Sequence, residues 1–277
     1  PRDAAGNLNP PPGNDSELVA YPDVLRGEVT VASSSQFQGA AGRLRYNICC
    51  KEACGGCTSP GYAYRYGYGQ RCGYPAFCRV DLTGGFRFYR LDESLTITED
   101  LTSLQSVNPG RFEIFDRFET QNEFSGGEVG MMVETGVNRW TLDFLMRIAV
   151  GNVKQTATIS GETTISPLTA PAETFTGGLL AQTSNIGTYS RDEFTMAPEL
   201  GTNLGFYLTP RFRALVGYSF IYLGNVLRPG DQIDLDVNPD QLAPPLDPIV
   251  GPLRPEFVFR QTDYWAHGLN VSLDLRW

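Results

Sequence analysis

The sequence of 277 residues contains no hydrophobic run that approaches the roughly 18 apolar residues of a membrane-spanning helix. It has one histidine, His267, and no lysine follows its paired glycines as in a phosphate-binding loop. Acidic residues outnumber basic ones, 31 to 22, which disfavours nucleic acid because phosphate binding requires positive charge. These absences predict that the chain has no nucleic-acid partner and no nucleotide cofactor, and no other cofactor is indicated.

The beginning of the chain also lacks a regular pattern. It starts with Pro1 rather than methionine and carries no signal peptide, so we expect that it has been processed or truncated at its N-terminus. Residues 1–16 are rich in proline, glycine and asparagine, and the short apolar stretch 18–24 contains Pro22. We predict that residues 1–36 form an N-terminal loop or edge segment.

A strand pattern is clearest at the end of the chain. From Trp265 to Trp277 every second residue is mostly large and apolar, and the residues between are small or charged, which is the period of a strand. The last residue is aromatic, and aromatic rings favour the membrane–water interface. The apolar face from Leu269 onward has about the 9–11 residues with which a tilted strand crosses a bilayer.

The same alternation recurs along residues 37–277 and predicts an all-β fold, an antiparallel transmembrane β-barrel of the outer-membrane type. The other predicted spanning strands are 37–48, 79–91, 123–135, 140–150, 194–208 and 212–222. Short turns at 136–138 and 209–210 alternate with long loops at 91–120, 154–190 and 225–260, as periplasmic turns and outer loops do in bacterial barrels. Within the first of these long loops, we expect residues 95–104 and 112–119 to extend the strands beyond the membrane. Pro198 lies on the apolar face of its strand and predicts a local irregularity.

Many charged residues occupy the alternate strand positions that we expect to face the inside of the barrel. The residues predicted to face the lumen are Arg43, Arg45, Asp81, Arg87, Glu128, Glu134, Asp143, Arg147, Glu193, Glu199, Arg213, Asp274 and Arg276. Both signs occur in similar numbers, so our first interpretation is that these charges pair and stabilise a narrow barrel. A charged pore that selects ions is the alternative.

All six cysteines fall within residues 49–78, which we predict form a periplasmic insert rich in cysteine, tyrosine and glycine. An even, clustered set suggests disulfides in an oxidising compartment. The candidates are Cys49, Cys50, Cys54, Cys57, Cys72 and Cys78, and Cys49 with Cys78 could join the base of a hairpin. A zinc site built from Cys50, Cys54, Cys57 and a fourth cysteine is the alternative, although only Cys54 and Cys57 have the common zinc-ligand spacing.

His267 is the one candidate for catalysis. Its parity places it on the lipid face, where a barrel phospholipase would need a serine nucleophile beside it. Ser219 on the predicted neighbouring strand has inward parity. We therefore predict an interfacial histidine beside Trp265, no catalytic residue, and a protein that is not an enzyme.

With these strands placed, seven stretches of the sequence resemble the planctomycete putative beta barrel porin-7 family. They are ELVAYPDVLRGEVTV, LRYNICC, RVDLTGGFRFYRLDESLTITEDL, FEIFDRFETQNEFSGGEVG, GGLLAQTSNIGTYSRDEFTMAPELGTNLGFYLT, VLRPGDQID and FVFRQTDYWAHGLNVSLDLRW. They occur in one order from about Glu17 to the end. The resemblance implies a barrel in the bacterial outer membrane, with N-terminal strands that are missing from this chain.

The closing residues also look like the signal read by the barrel-insertion machinery. Asn270, Leu275 and Trp277 fit its polar and hydrophobic positions, and Ser272 stands where glycine is common. We expect membrane lipid and this machinery as partners, and contact with a cell wall or surface layer through the cysteine-rich insert is a further expectation. The predicted function is a passive pore, and a structural barrel that anchors or displays loops without transport is the alternative.

Overall fold

The computed structural model of the protein describes residues 19–52, 77–105, 109–209 and 211–275. These residues form one antiparallel sheet that curls into a half-barrel, which confirms the predicted all-β fold. Its strands are β1 (Leu25–Glu52), β2 (Phe77–Ser103), β3 (Gly110–Val137), β4 (Trp140–Pro167), β5 (Glu173–Thr176), β6 (Gly187–Thr209), β7 (Phe212–Leu227) and β8 (Gln261–Leu275). Seven strands are neighbours in the order β1-β2-β3-β4-β6-β7-β8, and β5 pairs with β4. Within the described residues no ladder joins β1 to β8.

The first four strands are much longer than a bilayer requires. Each has 27 or 28 residues, and at about 3.4 Å per residue such a strand spans roughly 90 Å. The sequence-based boundaries are corrected accordingly. Residues 25–36, expected in a loop or edge segment, are part of β1 at one end of the described sheet. The strand extensions expected at 95–104 and 112–119 lie in β2, which ends at Ser103, and in β3, whereas residues 154–167, expected as a loop, continue β4. The cysteine-rich insert is correspondingly shorter, because β1 extends to Glu52 and β2 begins at Phe77.

The alternation on β4 explains both the correct and the wrong boundaries. From Trp140 to Val150 every second side chain is large, apolar and exposed, by 39% to 54%. Beyond Val150 every second residue of β4 is still buried on the concave face, as Val153 and Ala157 are. The residues between them, which face the other way, become polar and include Lys154. The strand therefore persists after its apolar face has ended. A hydrophobic pattern marks only the part of the strand that has that face.

We call the exposed hydrophobic side chains on the convex face the apolar band. It is made by Leu44, Tyr46, Ile48, Leu82, Phe86, Val129, Val137, Trp140, Leu142, Phe144, Met146, Ile148, Val150, Leu200, Leu204, Val216, Tyr218, Leu269, Val271, Leu273 and Leu275. All of them lie on the halves of their strands that are nearer the short β3–β4 and β6–β7 connections. No helix in the described part of the chain is long and apolar enough to cross a membrane.

The concave face carries two hydrophobic clusters, of which the first begins at the edge of the apolar band farther from the β3–β4 turn and the second lies beyond it. The first consists of Tyr89, Leu91, Phe124, Ala149, Val153, Ala197, Leu223 and Val226, with Phe37, Ile221 and Tyr264 packed against it. The second consists of Phe118, Ile159 and Ala181, with Leu180, Ile186, Tyr189, Ile233 and Phe257 around it. The rings of Phe37 and Tyr264 have centroids 5.1 Å apart, so β1 and β8 approach each other through side chains at this level.

Two loops fold onto the concave face at the end away from the short turns. Residues 177–186 are held by Asp116 on β3, whose buried carboxylate accepts backbone N–H bonds from Leu179 at 3.0 Å and Ala181 at 2.7 Å. The segment after β7 contains two short 3-10 turns, Pro229–Gln232 and Pro239–Gln241. These loops supply part of the second hydrophobic cluster, and they cover the sheet there.

The irregularity expected at Pro198 affects only the ladder between β6 and β7. The ladder with β4 runs through Pro198 without a register shift, whereas the ladder with β7 ends at Glu199, paired with Ile221. Proline has no N–H to donate to a ladder. The last residues of β7 therefore continue without β6 as a regular partner.

Candidate functional site

The concave face at the level of the apolar band carries a network of ion pairs. Three groups can be distinguished, which we name the central cluster, the Arg213 cluster and the Asp81 cluster. Together they contain the arginines Arg43, Arg45, Arg79, Arg87, Arg147 and Arg213 and the carboxylates of Asp81, Glu128, Glu134, Asp143, Glu199 and Asp274. The numbers of positive and negative groups are equal, so the network as a whole carries no net charge.

The central cluster joins five strands. Glu128 on β3 is only 2% exposed and accepts from both Arg43 on β1 and Arg87 on β2. Arg87 also contacts Glu199 on β6, and Arg147 on β4 reaches the same carboxylate, Nη1 to Oε1, at 3.3 Å. Each carboxylate therefore has at least two arginine partners. Burial of these charges is offset by pairing, as it must be for a charged group away from water.

Alternation along the strands explains why these side chains meet. Each has inner parity on its strand, and the register places Arg147 directly opposite Glu199 and also opposite Gly130. A Cβ atom at Gly130 would lie 2.5 Å from Cγ of Arg147 and 2.7 Å from the carbonyl oxygen of Met146. Glycine at position 130 therefore leaves the space that the Arg147 side chain occupies.

The Arg213 cluster lies nearer the short turns. The Arg213 guanidinium, on β7, contacts Glu134 at 3.1 Å, Asp274 at 3.2 Å and Asp143 at 3.6 Å. It also donates to the Thr141 hydroxyl at 3.0 Å. One cation thus holds three carboxylates from β3, β4 and β8, and this cluster has an excess of negative charge.

The Asp81 cluster has the opposite excess. The Asp81 carboxylate on β2 is completely buried and accepts from Arg45 on β1, from Arg79 Nε at 3.0 Å and from Asn47 Nδ2 at 2.7 Å. Arg79 is absent from the charged residues that the sequence predicted for the lumen. Its position two residues before Asp81 gives it the same parity, so strand alternation alone would have identified it.

Of the charged residues expected in the lumen, one lies outside this network and one lies outside the described residues. Glu193 on β6 pairs with Arg191 of the same strand at 3.4 Å, beyond the apolar band, and its side chain is 38% exposed. Arg276 lies outside the described residues, as does Trp277. The structure thus brings together eleven of the thirteen residues on the concave face. That this face lines a water-filled lumen stays a prediction.

The cysteine prediction needs one correction. Cys49 and Cys78 are free, exposed thiols, so they do not join the base of the hairpin. The register explains this: Cys49 pairs with Val80 and Cys78 with Lys51, which makes the two cysteines diagonal neighbours. Diagonal positions are separated by about 7–8 Å, which is too far for a disulfide. Cys50 is not among the free thiols, and Cys54, Cys57 and Cys72 lie outside the described residues.

His267 lies among aromatic rings on the convex face. Its imidazole is 5.4 Å from the Trp265 ring and 5.8 Å from the Tyr218 ring, measured between centroids. Ser219, with the opposite parity to Tyr218, pairs with Gly268 in the ladder. No group of three or more histidine, cysteine or acidic residues that could hold a metal ion occurs in the ranges that the structure describes.

Comparison with known proteins identifies the family. No curated protein and no solved structure matches the chain. The family model described as "Putative beta barrel porin-7" matches residues 7–277, which is nearly the whole chain. Together with the curled antiparallel sheet, this match shows that the chain belongs to the putative beta barrel porin-7 family.

Proposed function

We propose that this protein is an outer-membrane β-barrel with a porin-like role, acting as a passive pore for small solutes. The observation that carries the proposal is the contrast between the two faces of the sheet. The convex face bears the apolar band, and the concave face bears the ion-pair network at the same level. A transmembrane barrel has this arrangement, because its strands alternate between lipid and a polar interior.

The experiment that tests the pore is conductance of the full chain in planar bilayers, with solute flux into liposomes as a second measurement. A passive pore gives reproducible conductance steps and allows small neutral sugars to enter the liposomes. Flux that is absent while the protein is inserted and folded would contradict the pore.

A structural barrel is the second candidate, and a specific observation favours it. The charges of the network are paired and balanced, and the first hydrophobic cluster fills the concave face directly beyond them. Such a barrel would anchor or display its loops without transport. The same flux measurement separates the two functions, since a structural barrel inserts and folds but passes no solute.

Membrane lipid would contact the apolar band, and the insertion machinery would read the last strand. A cell wall or surface layer would contact the cysteine-rich insert, in which the remaining cysteines would form disulfides. We propose no enzymatic activity, since the single histidine packs against Trp265 and Tyr218. We also propose a planctomycete source, because the seven stretches resemble the planctomycete members of this family.

A further inference from the structure

The end of β7 separates from β6 and packs on the concave face, while Val226 and Leu227 stay paired with Thr262 and Gln261 of β8. The ladder between β6 and β7 stops at Ile221, and the ladder between β7 and β8 shifts register between Leu223 and Val226. Asn225, between them, has a left-handed backbone with a φ of 53°. We call residues 223–228 the inner segment.

Side chains from other strands bind the backbone of the inner segment. Asn122, fully buried on β3, makes two hydrogen bonds to Leu227: its Nδ2 donates to the carbonyl oxygen at 2.9 Å, and its Oδ1 accepts from the backbone N–H at 2.7 Å. Gln155 on β4 donates to the carbonyl oxygen of Asn225 at 2.5 Å. On the side where the inner segment has lost β6, these amides take the place of a strand partner and satisfy buried backbone groups.

The same segment is fixed by apolar packing and by charge. Leu223 and Val226 have no exposed surface and belong to the first hydrophobic cluster with Leu91 and Phe124. Arg228 pairs with Glu93 on β2, and its guanidinium lies 5.9 Å from the centroid of the Tyr264 ring. Contacts from β2, β3, β4 and β8 therefore converge on six consecutive residues.

We propose that the inner segment is a built-in plug that closes the passage of the barrel between the ion-pair network and the outer loops. This inference rests on the proposed pore function. The inner segment is buried against strands on the opposite side of the half-barrel, where an open pore would require water. Side-chain hydrogen bonds alone attach it to β3 and β4, and its remaining ladder is the one with β8. It can therefore move off the concave face together with the adjoining part of β8 while β2, β3 and β4 stay paired.

Pro198 explains why the end of β7 separates from β6. Continuation of the β6–β7 register would place Tyr222 opposite Pro198 and would keep the following residues paired with β6. Because proline interrupts that ladder, the end of β7 is free to turn inward. Thr195 and Asn225 then bridge the gap through side chains: Thr195 Oγ1 donates to the carbonyl oxygen of Gly224 at 2.8 Å, and Asn225 Nδ2 donates to that of Phe194 at 3.0 Å.

The test compares single-channel recordings of the wild-type chain with those of Asn122→Ala and Glu93→Gln. Gln121→Ala is the matched control, because Gln121 is the neighbour of Asn122 with opposite parity and bonds to Asp92 instead. Loss of the two Asn122 bonds should raise the open probability at least about tenfold, since each net hydrogen bond is worth on the order of a tenfold change in an equilibrium. Gln121→Ala should behave like the wild type.

Heat-modifiable gel mobility verifies that each variant is folded. Asn122→Asp retains the acceptor for the Leu227 N–H and so provides a milder variant.

The outcomes separate the plug from the pore. Rare openings in the wild type with frequent openings in Asn122→Ala, and intermediate openings in Asn122→Asp, support the plug. Equal and steady conductance in all the folded proteins overturns the plug and leaves the pore intact. No conductance in any protein, including the double variant of Asn122→Ala with Glu93→Gln, overturns the pore and the plug together.

Discussion

Arg87 on β2 bonds to Glu199 on β6, 112 residues further along the chain, although β3 and β4 lie between their strands in the sheet. This ion pair crosses the concave face rather than following a ladder. Glu128, on β3, accepts from the same guanidinium and so fills the space beneath the crossing. The central cluster therefore links strands across the concave face in addition to pairing its own charges.

Removal of Arg87 should strongly destabilise the barrel. Arg87→Ala leaves the carboxylates of Glu128 and Glu199 with fewer partners in a buried site, which typically costs about 3–5 kcal/mol. The measurement is the temperature at which heat-modifiable gel mobility is lost. Arg90→Ala is the control, because Arg90 lies on the same strand with its side chain 40% exposed and pairs at the surface. An equal loss of stability in both variants would contradict a structural role specific to the central cluster.

Arg147→Ala should lower stability less than Arg87→Ala and should leave ion selectivity nearly unchanged. Glu199 keeps Arg87 as a partner when Arg147 is removed, and the whole network stays close to neutral. A selective pore would instead show one dominant sign at its constriction. Reversal potentials in a salt gradient provide the measurement. A large shift in reversal potential with unchanged melting would show that the charges line an open, selective passage.

The cysteines should react in two classes. Cys49 and Cys78 are free and exposed, so alkylation of the folded protein without reductant should label both. We predict that the other four are disulfide-bonded and react only after reduction. Mass spectrometry of the alkylated peptides distinguishes the classes. Labelling of all six before reduction would contradict the disulfides, and stoichiometric zinc would favour the metal site.

The loop after β7 should become more accessible in acid. Burial alone would raise the pKa of Asp234, but bonds from the Glu256 backbone, from Arg254 and from the Asp236 backbone hold that pKa below its usual range. A carboxyl group with a lowered pKa stabilises the fold above the pKa of the unfolded chain, about 3.9, and this contribution is lost as pH falls through the lower, folded value. Limited proteolysis of residues 235–258 should therefore accelerate below about pH 4.

Asp234→Asn tests the assignment of that acid response. The variant should be more easily cleaved at neutral pH and should lose much of the additional acceleration in acid. Asp247→Asn serves as the control in the same loop. If both variants keep the response of the wild type, another group is responsible.

A charge in the apolar band should oppose membrane insertion. Phe144 is 43% exposed on the convex face of β4, and an arginine on the lipid face near the bilayer midplane costs about 2–4 kcal/mol. Phe144→Arg should therefore reduce folding into lipid vesicles, whereas Phe144→Leu should fold normally. Equal folding of the two variants would show that this face does not contact hydrocarbon.

Some features followed from the sequence because they depend only on local alternation. Period two assigns Arg147 and Glu199 to one face of their strands and Phe144 and Leu200 to the other, whatever the neighbours are. The same reasoning failed where the convex face becomes polar, since residues 154–167 of β4 have no apolar period that separates them from a loop. These residues are a strand because β3 pairs with them along their whole length.

The sequence by itself determined the type of fold, the two faces of the strands and the residues that carry charge to the concave face. Tertiary structure decided which charges meet, because a bond such as Arg87 to Glu199 depends on the curl of the sheet. It also decided that Cys49 and Cys78 stay apart, since a register offset of two residues separates them. The inward path of residues 223–228 likewise depends on Asn122, which lies 105 positions before Leu227. Local pattern fixes the direction of a side chain, and only long-range register fixes its partner.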